Sequence, residues 1–218
     1  AAFQIPDFLA TLFLLGAASA AIIPLFQEQV SARRESGREL VSELTTAFLV
    51  FAFAVAAAGF FAAPFFIPFL VPGFSEAEQA LVLRLTRILL LSPILLGLSG
   101  ILSSVVQSYQ RFLAYALSPL AYNIGIIAGI LFFVPRFGMP GLAFGVVAGA
   151  GLHALVQFAS AGDLGFAPRL VRPRLSEGIR AVARLSFPRV LALSLSNLTL
   201  IVLVALGSLL APGSIAVL

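Results

Sequence analysis

The sequence contains no cysteine, no lysine and one histidine, and only 10% of its 218 residues are charged. Without thiols there is no disulfide and no thiolate metal site, and cysteine usage says nothing of the redox compartment. One histidine with no carboxylate near it cannot build a metal site, so no metal and no other cofactor is expected. All 13 basic residues are arginine, which reads as a composition bias of the source rather than as chemistry. No basic stripe interleaves with aromatics, so a nucleic-acid partner is not expected. No Ser/His/Asp set or carboxylate pair is present either, and the chain is not read as an enzyme.

What fills the chain instead is apolar sequence, 61% of it, with a mean hydropathy of +1.10. Six apolar runs lie at about 3–27, 44–71, 81–109, 112–134, 140–162 and 188–211. Each reaches the roughly 20 residues that a helix needs to cross about 30 Å of hydrocarbon. In lipid only helices and closed barrels satisfy the backbone, and barrel strands alternate apolar with polar residues. Ala47–Phe61 and Ala121–Val134 show no alternation. The expected fold is therefore all-α, a polytopic membrane protein with six transmembrane helices. The chain starts without Met inside an apolar pattern and stops at Ala216-Val217-Leu218, as a new run begins. A fragment of a longer protein is expected.

The arginines set the topology. The first, third and fifth gaps, the last with its lead into the sixth run, hold three, one and six of them; the other side holds Arg84, Arg87 and Arg136. Ten against three places the odd-numbered gaps in the cytoplasm and the N-terminus outside, with a further helix expected before residue 1. Segment 163–187 is rich in Arg and Pro to Arg174, and Ser176-Glu177 then opens an amphipathic stretch. Ile179, Val182 and Leu185 recur three apart with Arg180 and Arg184 opposite, as in a helix lying on a membrane surface with its arginines toward anionic headgroups. Pro188 is expected to separate this helix from the sixth span.

Within the spans, Pro6 with Gly16 and Pro93 with Gly97 and Gly100 are the expected helix breaks, since proline removes a backbone donor. Gly125-x-x-x-Gly129 and Gly145-x-x-x-Gly149 are expected to bring the fourth and fifth spans close together. Polar groups are costly in lipid, which makes Asp7, Ser19, Gln107, Asn123, His153, Gln157, Ser194, Ser196 and Asn197 the candidates for function. Asp7 is the one acid well inside a run. His153 and Gln157, four residues apart on one helix face, are expected to bond across helices.

The run Ala2-Phe3-Gln4-Ile5-Pro6-Asp7-Phe8-Leu9, followed by Leu12-Phe13, Gly16-Ala17, Ser19, Ala21 and Pro24, carries a resemblance. So do Ala63-Pro64, Pro72-Gly73-Phe74, Arg111-Phe112, Pro119, Asn123, Gly141-Leu142-Ala143 with Gln157, and Ala211-Pro212-Gly213-Ser214. In order and spacing these resemble the MurJ/MviN lipid II flippases of the MOP transporter superfamily. The resemblance implies helices two to seven of a fourteen-helix fold, so that 1–218 is part of the N-lobe of a two-lobe, alternating-access transporter. It implies a lipid-linked peptidoglycan precursor, lipid II, as substrate, a location in the bacterial inner membrane among its lipids, and coupling either to the membrane potential or to a coupling cation. A related exporter of another lipid-linked sugar or an organic cation, or a non-transporting scaffold, is the alternative. Asp7, Ser19 and Asn197 are carried over as facing the substrate cavity. The chain departs from the family at three places: Ala10-Thr11 stands for a pair of arginines, Leu15 for a glutamate and Asp7 for an asparagine.

Overall fold

The computed structural model describes residues 2–14, 17–172 and 174–209, without the side chains of 12–20 and 189. Among these, the regular elements are helices: α1 (Gln4–Leu14), α2 (Ala17–Ala32), α3 (Arg34–Leu70), α4 (Glu76–Leu89), α5 (Leu91–Ser108), α6 (Phe112–Ala128), α7 (Val134–Phe137), α8 (Met139–Asp163) and α9 (Glu177–Ser208). Five stretches of described residues are long and apolar enough to span a bilayer: Arg34–Leu70, Glu76–Ser108, Phe112–Phe137, Met139–Asp163 and Val190–Ser208. They correspond to the second to sixth expected runs. The first run is covered by α1 and α2, and Gly16 between them lies outside the described residues. On α3, Phe61, Phe65 and Phe69 point outward in one stripe, Phe65 74% and Phe69 80% exposed. Such a stripe suits acyl chains rather than water.

The third span is the hub. In its most apolar window 67% of residues are buried, against 17% for the α3 span and 11% for the last. Its lower half, α5, packs on α1, α2, α3 and α8. Lipid gives helices no hydrophobic reason to associate, so close approach through small residues does the work. Here Ser92, Gly97, Ser99, Ser103 and Ser104 are all buried. A Cβ on Gly97 would collide with the Phe48 ring. As expected from Pro93, this span is broken: α4 ends at Leu89, Leu90 forms a turn, and α5 begins at Leu91.

The expected glycine crossing is present between α6 and α8. Gly125 meets Gly149 and Gly129 meets Gly145 backbone to backbone; a Cβ on Gly145 would come within 2.6 Å of the Gly129 Cα. Beyond this contact α6 widens into a π-helical turn, Gly129–Phe133, with the Val134 amide donating to the Gly129 carbonyl five residues back. Pro135 accounts for the widening, since it has no N–H for the Leu131 carbonyl four residues earlier.

Two helices are longer than expected. α3 starts ten residues before the apolar run, and its 37 residues span about 55 Å at 1.5 Å per residue. α9 begins where expected, with Ser176 Oγ accepting from the Ile179 amide at 3.4 Å, but it does not stop at Pro188. The amphipathic stretch and the sixth span form one helix of 32 residues, which corrects the expected separation. Proline's fixed φ is itself helical, and the loss is one backbone bond, which membrane helices tolerate.

Candidate functional site

α1 packs against α5 and α9 and brings three polar side chains into relation with them. The Thr11 hydroxyl donates to the Asp7 carbonyl at 2.9 Å, the usual way a threonine satisfies itself inside a helix. The same oxygen accepts from Asn197 Nδ2 of α9 at 2.7 Å, and Nδ2 also donates to the Leu193 carbonyl at 3.2 Å. Two of the expected site residues, Asp7 and Asn197, are thus joined through Thr11. The third, Ser19, sits on α2 with its side chain outside the described residues.

Only the Asp7 backbone takes part in that bridge; the residue itself is exposed, beside the break in the third span. With Ser92 of α5 and Tyr122 of α6 it lines a cavity of about 60 Å³. Leu89 and Pro93, from the two sides of the break, line the same space. Pro6 has no N–H for the Ala2 carbonyl, and Thr86 of α4 supplies the missing donor at 3.1 Å. That bond fixes the start of α1, and hence Asp7, against the upper half of the third span.

Of the remaining polar candidates, His153, Gln157, Gln107 and Ser196 form hydrogen bonds within the fold, and Asn123 is exposed on α6. His153 Nδ1 and the Ser99 hydroxyl lie 2.6 Å apart, joining α8 to α5. Gln157 Nε2 donates to Ser118 Oγ of α6 at 2.8 Å, so the expected bonds across helices are present. Gln107 donates to Ser103 and Ser196 to the Ala192 carbonyl, each within its own helix. Ser194 Oγ is buried without a partner among the described residues.

At the arginine-rich end, the segment after α8 lies along the extension of α3. Arg34 Nη2 donates to the Leu164 carbonyl at 2.6 Å and Arg38 Nε to the Gly165 carbonyl at 2.7 Å. Ser42 Oγ then accepts from the Arg169 amide at 3.2 Å, and Thr46 Oγ1 from the Val171 amide at 3.1 Å. Gly165 turns the chain at φ +78°, where an L side chain would be strained. Phe166 then drops into the core against Phe26 and Tyr109, with the Arg34 guanidinium 5.1 Å above its ring. Arg169, Arg172 and Arg174 line grooves shared with Glu35, Glu39 and Glu43 of α3.

Thr11, Ser92 and Tyr122 escaped sequence reasoning. A lone Ser or Thr in an apolar run usually bonds its own helix and leaves no pattern. The available signals were the place of Thr11, where the resemblance drawn from the sequence implies an arginine, and the neighbourhood of Tyr122 to Asn123.

The family model described as lipid II flippase MurJ matches residues 1–218. The lipid II flippase MurJ of Burkholderia cenocepacia is 27% identical over 224 residues, covering 99% of this chain and 43% of that protein. The probable lipid II flippase MurJ of Haemophilus influenzae is 30% identical over 231 residues, covering 98% of this chain and 44% of that protein. The chain thus spans less than half the length of these curated relatives. A solved structure of lipid II flippase MurJ in its inward closed conformation shares the fold, with a TM-score of 0.77, 24% identity, and coverage of 99% of this chain and 44% of that one. With the family model matched from the first residue to the last, on a helical multi-pass membrane fold, the chain belongs to the lipid II flippase MurJ family.

Proposed function

We propose that the complete protein carries lipid II from the inner to the outer leaflet of the bacterial inner membrane, as a transporter and not as an enzyme. In this reading residues 1–218 form part of the N-lobe, which rocks against a second lobe around a central cavity. A diphosphate bearing sugars cannot cross about 30 Å of hydrocarbon unaided, so the headgroup needs such a polar path. The observation that carries the reading is the match of the family model over the whole chain. The substrate diphosphate suits bidentate arginine, which this reading places on helices beyond residues 1–218. Asp7, Ser19 and Asn197 are the side chains it turns toward the cavity. Asn197 already spends its N–H groups on Thr11 and Leu193, which leaves its carbonyl oxygen for a ligand.

One observation favours a second reading, a related exporter of another lipid-linked sugar or of an organic cation. Where the family carries paired arginines, Thr11 closes a neutral hydrogen bond with Asn197, and an acid stands four residues away. The test is complementation by the full-length gene in cells depleted of their own lipid II flippase. Rescue of growth is the expected result. Failure to rescue, with membrane insertion confirmed by fractionation, overturns the lipid II assignment.

A further inference from the structure

We propose that the crevice between α1, α3 and α9 is a binding site for one acyl chain of a membrane phospholipid. Phe8 and Leu9 of α1, Ala62 and Phe66 of α3, and Leu198 and Ile201 of α9 line a cavity of about 420 Å³, and no residue around it carries a polar side chain. Two polar contacts of α9 bracket it. Below, Asn197 donates to Thr11 of α1 at 2.7 Å. Above, the Gly73 amide, in the turn after α3, donates to Ser208 Oγ at 3.3 Å, and a Cβ on Gly73 would collide with the Ser208 carbonyl. Leu198 and Ile201 fall between those contacts, on a stretch of α9 about 16 Å long at 1.5 Å per residue.

Volume and polarity select the occupant. Close-packed interiors leave few voids larger than a water molecule, and one of this size does not stay empty beside fluid hydrocarbon. Ordered water needs several polar partners, which this lining does not offer. An apolar cavity of about 150 Å³ takes one benzene, so on the order of 17 carbons fit here, the size of a single acyl chain. The mouth faces lipid: Phe66 and Phe69, 62% and 80% exposed, stand at the rim, and Phe69 belongs to the outward stripe of α3. A chain in the crevice is thus continuous with the hydrocarbon around the protein and enters without crossing water. Leu9 belongs to one buried apolar cluster, with Ala56 and Ile94, and Leu70 to another, with Ile67 and Val82. Both leucines line the crevice, so a chain there packs against both clusters.

The site stands independently of the proposed function, because it needs only a bilayer. The test is photolabelling of the full-length protein in phosphatidylcholine vesicles that contain a phosphatidylcholine with a diazirine midway along one acyl chain, the labelled residues being read by mass spectrometry. Label at Phe66 and Leu198 is expected several-fold above that at Phe53, an exposed α3 residue outside the crevice. Ala62→Phe, which fills the crevice, should lower the label at Phe66 several-fold and leave Phe53 unchanged. Equal labelling of Phe66, Leu198 and Phe53 would mean ordinary boundary lipid and overturns the site. Labelling of Phe53 alone would mean that another part of the full-length protein fills the crevice, and overturns it too. Should Ala62→Phe not fold, unchanged labelling of Phe66 in Leu198→Trp overturns it as well. Loss of the label to an equal amount of a polyprenyl phosphate overturns the choice of occupant and gives the crevice to an isoprenoid chain. Labelling as expected in a protein that rescues no growth counts against the proposed function and leaves the site standing.

Discussion

Asn197 of the last helix and Thr11 of the first share a hydrogen bond of 2.7 Å across 186 residues of sequence. It is a side-chain bridge between the two ends of the described chain, with Thr11 buried and Asn197 half-buried. Interhelical bonds of this kind average about 0.6 kcal/mol in membranes, with a ceiling near about 1.7. Thr11→Val and Asn197→Leu, singly and together, should show a coupling of that size in a double-mutant cycle of thermal unfolding in detergent. Strictly additive losses would mean that the bridge contributes nothing.

The α6–α8 crossing should be intolerant of bulk at one glycine and indifferent at another two residues away. Gly149 touches the Tyr122 carbonyl and Gly125, whereas a Cβ on Gly151 meets nothing within 4 Å. Gly149→Leu should therefore lose about 1–3 kcal/mol through overpacking. Gly151→Ala should hold or gain up to about 1 kcal/mol from reduced chain entropy. Unfolding midpoints that move alike in the two variants would contradict the crossing.

Gln157 is fully buried; its Nε2 donates to Ser118 Oγ at 2.8 Å and to the Ala114 carbonyl at 3.5 Å, and its Oε1 has no partner among the described residues. Removing Ser118 leaves both ends of the amide unmet by a side chain, at a cost of about 1–3 kcal/mol. Replacing the glutamine itself by leucine removes the orphan oxygen together with the donor and should be close to neutral. The predicted order is Ser118→Ala less stable than Gln157→Leu, and the reverse order would refute it.

Phe166 anchors the segment between α8 and α9 and is 0% exposed. Phe166→Ala should remove about 3–5 kcal/mol of packing. The local consequence is sharper than the global one, because Arg169, Arg172 and Arg174 follow directly. Trypsin should cut after Arg169 and Arg174 many times faster in Phe166→Ala and in Arg34→Ala than in the parent protein, as read by mass spectrometry of the fragments; Arg172 precedes a proline and is not a trypsin site. Unchanged cleavage would show that the segment is held by something else.

The spans were legible because the bilayer imposes length and apolarity on them, and Pro93 marked its break because a missing N–H acts locally. Gly125, Gly129, Gly145 and Gly149 were legible for a similar reason: their spacing is the contact. Pro188 misled, since proline's preference against a helix interior is a tendency that the continuous α9 overrides. The site was only half legible. Asp7 stood out as an acid in an apolar run, but Ser92 and Tyr122 reach it from residues 85 and 115 positions away, and no local pattern encodes that meeting. The attachment of 164–171 to α3 was invisible altogether, because backbone amides and carbonyls make half of each bond.

Arg34, Arg38, Ser42 and Thr46 stand four residues apart, about 6 Å per step along the axis. Between them they capture two carbonyls and then two amides of a single extended segment, so the helix acts as a gauge against which the linker is measured. Loop-closure entropy barely notices one residue more or less. The gauge does: a deletion between Gly165 and Arg169 would let the segment satisfy its carbonyl pair or its amide pair, never both. Linker length in this protein is thus fixed by helical pitch, and with it the point at which α9 is handed to the membrane.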